Sequence, residues 1–522
     1  MIKVKVKSEK VIKTVLDFYK QSGNLEEAKK KTGALLKLQK VPRTYHILLY
    51  AQKHSPQLAK IITKKTKLHA SRSLSGIVSV TVLTKNFPCP YKCAYCPKEK
   101  NIPQSYLSDE PAVARAQLVE FDPYRQVSGR LNVLKISGHE ISKMELIVLG
   151  GTFSFLPHQY RLQFIKKCFD VANQSKSKNL QEAQKLNEKS QRRIVGITIE
   201  TRPDLIDKNE IKFLRKLGVT RVELGAQNYF NFILRKNERK ATRKQLENAT
   251  KLLRDNGFKI TYHLMLNLPG SNPFLDFWSS ILFFINPNFR PDHLKIYPLV
   301  VVKGSKVYKW YKKGKFRPYS NEVLIKILAA IKSYIPNYVR IVRVIRDIPA
   351  NHIKAGLKNS NLREKVQEFM HDHNMKCKCI RCREIKSKVI KNAILKIKRY
   401  RANGGSEYFL SIVDKNTDHI AALLRLRLTK NSQPFFKVLK NAALVREIHT
   451  YGEVVGLDNK TLQASQHRGF GSWLIGEAEK IAKKNGFDKI VVIAGVGVRG
   501  YFRKHGYKLG ESYMVKKLEF KC

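Results

Sequence analysis

The stretch GIVSVTVLTKNFPCPYKCAYCPK, residues 76–98, decides how the rest of the chain is read. Its first half is a run of apolar and β-branched residues, the pattern of a buried strand. It leads directly into Cys89, Cys93 and Cys96, spaced C-x3-C-x2-C. Three thiolates at this spacing can hold three irons of a 4Fe-4S cluster and leave the fourth iron without a protein ligand. Electron-transfer clusters ordinarily use four cysteines, and a structural zinc site closes with four ligands. The open iron is the position that S-adenosylmethionine chelates through its amino and carboxylate groups, so the ligand count favours a radical cluster over zinc.

Outward from this loop, apolar strands alternate with amphipathic segments up to about residue 345. The strands are ELIVLGG (145–151), RIVGITIET (193–201), VTRVELGAQ (219–227) and KITYHLMLNLPG (259–270). Between them IKFLRKLG and ATKLLRDNG read as helices, each stopped by a glycine. Repeated strand–helix units predict a parallel sheet closed, or partly closed, as a barrel. Such barrels open their sites at the carboxyl ends of the strands. Gly150 and Gly151 follow one strand end, where glycine lets backbone approach a ligand, and are expected at the methionine end of the cofactor. Glu200, Thr201, Arg202, Glu223, Gln227 and His263 lie at the ends of others, and Glu200 and Gln227 are candidates for further cofactor contacts. Residues 173–193 are polar and predict a solvated insertion or helix extension.

A second cluster, KCKCIRCRE, holds Cys377, Cys379 and Cys382 with C-x-C-x2-C spacing. This spacing suits a zinc ion clipping two domains together, with His371 or His373 as candidates for the fourth ligand. Cys168 and Cys522 have no partners in sequence. After about residue 395 a new α/β pattern begins. ALVREIHTYGEVV (443–455) reads as a strand, and Gln466, Arg468, Gly469 and Gly471 form Q-x-R-G-x-G at the start of an amphipathic helix. Small residues there bring N–H groups toward a pyrophosphate at a helix N-terminus. A further strand is predicted in KIVVIAGVGVRGYF, ending at Tyr501 and Phe502. Strand, loop, helix, strand is the order that a coenzyme A site of the acetyltransferase type requires; a structural glycine turn is the plainer alternative.

Composition sets the partner class. The chain has 522 residues, 43% hydrophobic, with 100 Lys+Arg against 41 Asp+Glu, a net charge of +59. That supports packed cores and argues for an acidic partner, nucleic acid first, although a generally lysine-rich surface would give the same total. Residues 1–75 carry 18 Lys+Arg and 4 Asp+Glu, with Lys3, Lys5, Lys7 and Lys10, a run at Lys29, Lys30 and Lys31, and another at Lys64, Lys65 and Lys67. Interleaved apolar residues predict basic helices that dock on RNA. There is no span of 18 apolar residues and the start MIKVKVKSEK lacks a signal-peptide core, so a cytoplasmic location with no membrane partner is expected.

Taken together, the chain resembles the family of the Elongator catalytic subunit, radical tRNA uridine acetyltransferases/carboxymethylases. The resemblance covers essentially residues 70–522 and rests on many ordered motifs. They include CPYKCAYCP, SDEPAVARA, FDPYRQV, ELIVLGGTF, GITIETRPD, TRVELGAQ, RPDHLKIYP, NSNLRE, CKCIRCRE, REIHTYG, QHRGFG and GYFRKHGY. It implies an α/β fold: a basic tRNA-binding helical arm (1–75), a radical SAM partial (β/α) barrel (76–345), a zinc-binding linker (346–395) and a GNAT-type acetyltransferase domain (396–522).

The implied activity is formation of 5-carboxymethyluridine at the tRNA wobble position. A radical from S-adenosylmethionine takes hydrogen from the acetyl methyl of acetyl-CoA, the carbon radical adds to carbon 5, and the thioester is hydrolysed. An electron donor is then needed; a homodimer and accessory subunits both stay open. Lys143 matches the family's acetyl-CoA lysine from the radical domain, Glu447, Ile448, His449 and Thr450 its strand segment, and Phe470, Gly471 and Ser472 its pyrophosphate loop. Lys143, His449 and Tyr501 are the catalytic candidates. Phe502 stands where the family usually has a second tyrosine, which removes a hydroxyl, and Leu266 stands where relatives often have proline. The C-x3-C spacing is tighter than in many relatives and usual for radical enzymes. Two rivals remain: a protein lysine acetyltransferase, which the +59 charge disfavours because lysine-rich tails would be repelled, and a non-catalytic RNA-binding scaffold, which the intact cysteines and glycine loop disfavour.

Overall fold

The computed structural model describes residues 6–38, 41–66, 75–358, 361–386, 388–430, 434–452 and 469–519. The expectations placed on Lys3, Lys5, Lys67, Gln466, Arg468 and Cys522 lie outside the described residues.

Four helices open the chain, Val6–Ser22, Leu25–Leu35, Thr44–His54 and Pro56–Thr66. Their apolar positions converge on a core of their own, with Ile12, Val15, Ile47, Ala51 and Ile62 fully buried. The basic arm is therefore a packed bundle. It rests on the next domain through Ile136, which joins that core, and through Asn132 Nδ2 donating to the Tyr45 hydroxyl at 3.4 Å.

The next nine strands are β1 (Ile77–Leu83), β2 (Lys143–Leu149), β3 (Arg193–Thr201), β4 (Arg221–Gln227), β5 (Lys259–Leu266), β6 (His293–Pro298), β7 (Val301–Val302), β8 (Arg340–Arg343) and β9 (Ile353–Ala355). Seven of them form one parallel sheet in the order β1-β2-β3-β4-β5-β6-β8, while β7 and β9 pair separately. β1 and β8 are edges that do not meet, so the barrel is partial and its lumen opens between them. The predicted helices Lys208–Lys216 and Arg243–Asp255 are present, and Gly218 and Gly257 beyond them adopt φ of +86° and +89°. Leu266 ends β5 as a buried strand residue opposite Pro298.

Residues 173–193, expected to be a solvated insertion or helix extension, are largely on the surface but carry buried anchors. They contain the helix Leu180–Asn187, whose Leu180, Ala183 and Asn187 are buried. Asn187 accepts from Ile194 N at 2.8 Å and donates to Asn173 Oδ1 at 2.8 Å and to Arg192 O at 3.0 Å. A polar side chain with its bonds satisfied can be interior, so low hydrophobicity does not reveal an anchor such as Asn187.

The last seven strands are β10 (Ala393–Ala402), β11 (Gly405–Asp414), β12 (Ile420–Leu428), β13 (Ala442–Thr450), β14 (Lys489–Val492), β15 (Lys508–Gly510) and β16 (Tyr513–Lys517). Their order is β10-β11-β12-β13-β14-β16-β15. The helix Phe470–Lys484 lies on this sheet with Leu474, Ile475, Ala478 and Ala482 inward. All neighbours are antiparallel except β13 and β14, which pair in parallel only over Ala442–Val445 and Lys489–Val492. β14 then ends, and Tyr501 and Phe502 lie on the short helix Arg499–Arg503 rather than at a strand end. The cause is docking: a Cβ on Gly495 would sit 2.1 Å from the Val195 carbonyl oxygen, and one on Gly497 2.6 Å from Arg193 Cβ. Only glycine lets this segment press against β3.

Buried ion pairs hold the two sheets together. Arg446 donates to both oxygens of Asp292 at 2.7 and 2.8 Å and to Glu407 at 2.8 Å, while Arg427 reaches Asp255 at 2.5 Å. Asp292 precedes β6, Arg446 also meets the Phe258 carbonyl before β5, and Gly497 meets the start of β3. The second sheet is thus seated on the amino ends of the barrel strands, opposite the cysteine loop. Among the described residues no helix is long and apolar enough to cross a membrane.

Candidate active site

At the carboxyl ends of the strands, the loop after β1 brings Cys89, Cys93 and Cys96 onto the wall of a large cavity. Two guanidinium groups face the middle thiol. Arg202, from the end of β3, donates to Cys93 Sγ at 3.7 Å and stacks over the Tyr91 ring at 3.4 Å, and Arg239 donates to the same sulfur at 3.9 Å and to the Tyr95 hydroxyl at 3.3 Å. Burial pushes the Cys96 thiol up to about 12. A buried thiol becomes a ligand when a cation replaces its proton, and the flanking arginines balance the negative charge that three thiolates bring. Three cysteines in one electropositive pocket fit a 4Fe-4S cluster with one open iron. Arg239 was not singled out by sequence; it follows a helix, and only the fold turns it toward the loop.

Beside the cysteines, Gly150 and Gly151 adopt φ of +141° and +88°, and a Cβ on Gly150 would lie 2.0 Å from Thr84 Oγ1. Glu200 Oε1 accepts both glycine N–H groups, at 3.0 and 2.7 Å, and the Tyr106 hydroxyl at 2.5 Å. The carboxylate thus engages both amides and fixes the turn beside the cysteines. Gln227, with φ of +64°, lines the same end.

Further down the lumen Glu223 is buried against His263 Nε2 at 2.8 Å and against Lys295. Burial alone would raise its carboxyl; Lys295 and His263 outweigh burial and hold it well below the usual carboxylate range. Glu200, Glu223 and His263 place one ligand atom each within 4.8 Å of one another. With Lys295 bonded to Glu223, this is a polar wall of two carboxylates, an imidazole and an ammonium. Lys295 is mid-strand, where sequence reads only a buried position.

The lower end belongs to the second sheet. β13 separates from β14 after Val445, so the edge of Glu447, Ile448, His449 and Thr450 faces the cavity instead of a neighbouring strand. Glu447 Oε2 accepts from Arg425 Nε at 2.8 Å, and Lys259 Nζ lies 3.6 Å from its other oxygen, so its side chain also fastens the two sheets. Against burial, Lys259 and Arg425 hold the Glu447 carboxyl well below its ordinary range. Burial lowers His449 to about 4, leaving it a neutral imidazole at physiological pH. Lys143 opens β2 across the cavity from this edge, and burial, with Arg193 beside it, lowers its ammonium.

The helix Phe470–Lys484 begins here. Gly469 caps it with φ of +71°, and the Tyr501 hydroxyl sits 2.5 Å from where a Gly471 Cβ would be. Gly469, Gly471, Ser472, Tyr501 and Phe502 line the cavity; Phe470 instead packs in the core of the second sheet. Phe502 is only 2% exposed, so position 502 is mainly a packing position.

Cys377, Cys379 and Cys382 gather their sulfurs within 4.8 Å of one another. A tetrahedral ion with 2.3 Å bonds draws sulfurs to about 3.8 Å, so the trio fits a single zinc-sized ion. Neither proposed histidine joins it. His371 is 90% exposed, and His373 stacks on Phe369 at 3.9 Å with Nδ1 2.9 Å from that residue's carbonyl. Among the described residues the fourth position has no His, Cys, Asp or Glu.

One cavity of about 2200 Å³ connects the first cysteine loop, the Glu223 wall, the β13 edge and the start of the helix at Phe470, with Cys382 alone of the second trio on its wall; this is well above the roughly 300–1,000 Å³ of a usual ligand pocket. From Gly150 to Lys143 along β2 is roughly 23 Å at 3.3 Å per residue.

Comparisons with known proteins agree with this architecture. Residues 88–274 match the Radical SAM superfamily model and residues 291–372 the Radical_SAM C-terminal domain. The chain is 40% identical over 532 residues to a tRNA uridine(34) acetyltransferase of Methanocaldococcus jannaschii, covering 98% of this chain and 97% of that protein. It is 37% identical to Elongator complex protein 3 of Homo sapiens, covering 98% and 96%. The solved structure of Methanocaldococcus infernus Elp3 lacking its N-terminus (1–46) superposes with a TM-score of 0.76 at 39% identity, over 85% of this chain and all of that one.

Proposed function

We propose, for a chain that belongs to the family of tRNA uridine(34) acetyltransferases and Elongator complex protein 3 and carries its radical SAM domain, that it converts the wobble uridine of tRNA to 5-carboxymethyluridine with acetyl-CoA as carbon source. The observation that carries this reading is the continuous cavity from Cys89, Cys93 and Cys96 to Glu447–Thr450. It lets an acetyl group held by the second sheet and a radical source held at the cysteines meet out of bulk water.

The cluster and S-adenosylmethionine, when bound, supply a carbon radical able to take hydrogen from an unactivated methyl group. The chain's own residues do the rest. Cys89, Cys93 and Cys96 hold the cluster, with Arg202 and Arg239 balancing its charge. Glu200 fixes the Gly150–Gly151 turn at the methionine end of the cofactor, with Gln227 beside it. The freed edge of β13 offers backbone groups to the pantetheine amides, the start of the helix at Phe470 offers N–H groups to the pyrophosphate, and Lys143 reaches the acyl end from the barrel side. His449, neutral and half-buried, can accept a proton from the water that hydrolyses the thioester, and Tyr501 covers the pyrophosphate turn over Gly471. Cys377, Cys379 and Cys382 hold a zinc ion that stiffens the linker. The reaction needs a one-electron donor and takes place in the cytoplasm, where the thiols stay reduced.

The test is mass spectrometry of nucleosides from tRNA incubated with the anaerobically reconstituted protein, S-adenosylmethionine, acetyl-CoA and reductant. The expected product is 5-carboxymethyluridine, dependent on both cofactors. Acetylation of a lysine peptide in its place, with tRNA unchanged, would refute the reading.

A further inference from the structure

Arg115 is a cation with nothing opposite it. It lies on the helix Pro111–Gln117, part of the SDEPAVARA stretch that follows the cysteine loop, and its guanidinium makes no hydrogen bond or ion pair among the described residues. Two more arginines stand near it from separate elements. Arg130 is on the helix Pro123–Ile136, and Arg43 is the cap residue of the arm helix Thr44–His54. The Asn132–Tyr45 hydrogen bond brings those two helices together, one turn from each arginine. Burial, with Arg130 and then Arg43 adding to it, lowers the Arg115 guanidinium to about 10; no carboxylate is among the causes. It is still a cation at neutral pH. Two other buried cations of the lumen have carboxylate partners, Lys295 in Glu223 and Arg346 in Glu110. A half-buried cation crowded by two like charges is unfavourable unless an anion arrives.

The position says which anion can arrive. Arg115 and Arg130 line the cavity, and their helices pack on β1, the edge at which the partial barrel stays open. Arg43 extends the same patch outward onto the exposed arm. We propose that Arg115, Arg130 and Arg43 form a phosphate site at the mouth of the lumen that holds the RNA backbone beside the target uridine. Three guanidinium groups from three helices suit the several oxygens of a phosphodiester, and a nucleotide whose base enters the gap leaves its phosphates at the rim. The other phosphate-bearing ligand is coenzyme A, whose site lies at the helix starting at Phe470. This inference rests on the RNA substrate reading above.

The experiment measures binding of an anticodon stem-loop RNA with uridine at the wobble position, across a salt series, to the full chain and to Arg115→Gln and Arg43→Gln. Acetyl-CoA affinity and thermal midpoint are read in parallel. Each variant is expected to weaken RNA binding roughly tenfold and to reduce the slope of log affinity against log salt by about one, with acetyl-CoA binding unchanged. Arg43 is exposed, so its variant keeps the test alive if Arg115→Gln folds poorly. Unchanged RNA affinity and slope in Arg43→Gln and in a folded Arg115→Gln would overturn the site. Weakened acetyl-CoA binding with RNA unaffected would assign the anion to coenzyme A and overturn it as well. Failure of the unmodified chain to bind the stem-loop would instead remove the RNA substrate reading, and this inference with it.

Discussion

Single side chains decide what the cavity can hold. Gly471 is the sharpest case, because a Cβ there would meet the Tyr501 hydroxyl at 2.5 Å. Gly471→Val is expected to displace Tyr501 and lower acetyl-CoA affinity at least tenfold, read by calorimetry, while iron–sulfur absorbance stays unchanged. An equal affinity would show that the turn does not contact the coenzyme. The arm gives the opposite lesson. Lys29, in one of the basic runs expected to dock on RNA, has its ammonium on Glu26 at 2.6 Å and on Thr44 Oγ1 at 2.6 Å, and Lys31 pairs with Glu27 at 3.0 Å. Of that run, Lys30 alone has no ion pair among the described residues. Its charge is spent on solvent or ligand, whereas Lys29 is structural.

At the scale of elements, the turn between β14 and the helix Arg499–Arg503 joins the halves of the site. Gly495 has an ordinary φ of −65°, so its need for glycine is purely one of space. Gly495→Ala places a methyl against the Val195 carbonyl and should cost about 1–3 kcal/mol in overpacking, measured by urea unfolding, with a loss of uridine modification larger than any loss of acetyl-CoA binding. Gly500→Ala, five residues on, meets nothing within 4 Å in a helix and is expected to be neutral or slightly stabilising. Equal destabilisation by both would mean that the close approach to β3 does not matter.

Across the whole molecule, the ion pairs between the sheets tie stability to pH. Asp292 is fully buried, and Arg446 and Arg425 outweigh that burial and hold its carboxyl below the usual range; Glu447 is held down by Lys259 and Arg425. A carboxyl lowered in the folded state binds its proton more readily when unfolded. Its stabilisation is therefore full above an unfolded value of about 4 and is lost as pH falls toward the folded one. The thermal midpoint is expected to be level for these groups from neutrality to about pH 5 and to fall below about pH 4. Asp292→Asn leaves Arg446 and Arg425 poorly compensated and should cost about 3–5 kcal/mol while flattening that acid limb. An unchanged limb would place the acid sensitivity elsewhere.

Sequence alone determined the kinds of chemistry and the kinds of element. The cysteine spacing, the glycines at strand ends, the Q-x-R-G-x-G turn and the alternation of strand and helix are local, and local patterns carry thiolate ligands, backbone freedom and periodicity. Tertiary structure decided what those parts are to one another. That Glu200 closes on Gly150 and Gly151, that Glu447 is a fastening between sheets as well as a cavity residue, that Phe502 is packed inside, and that His371 and His373 stay away from the second cysteine trio all depend on contacts between residues far apart in the chain. So does the placing of the second sheet at the amino ends of the barrel strands, with the cysteines at the other end of one lumen. Charge and hydrophobicity are summed along a chain, but a buried arginine finds its carboxylate, or like Arg115 finds none, only when folding brings the helices together.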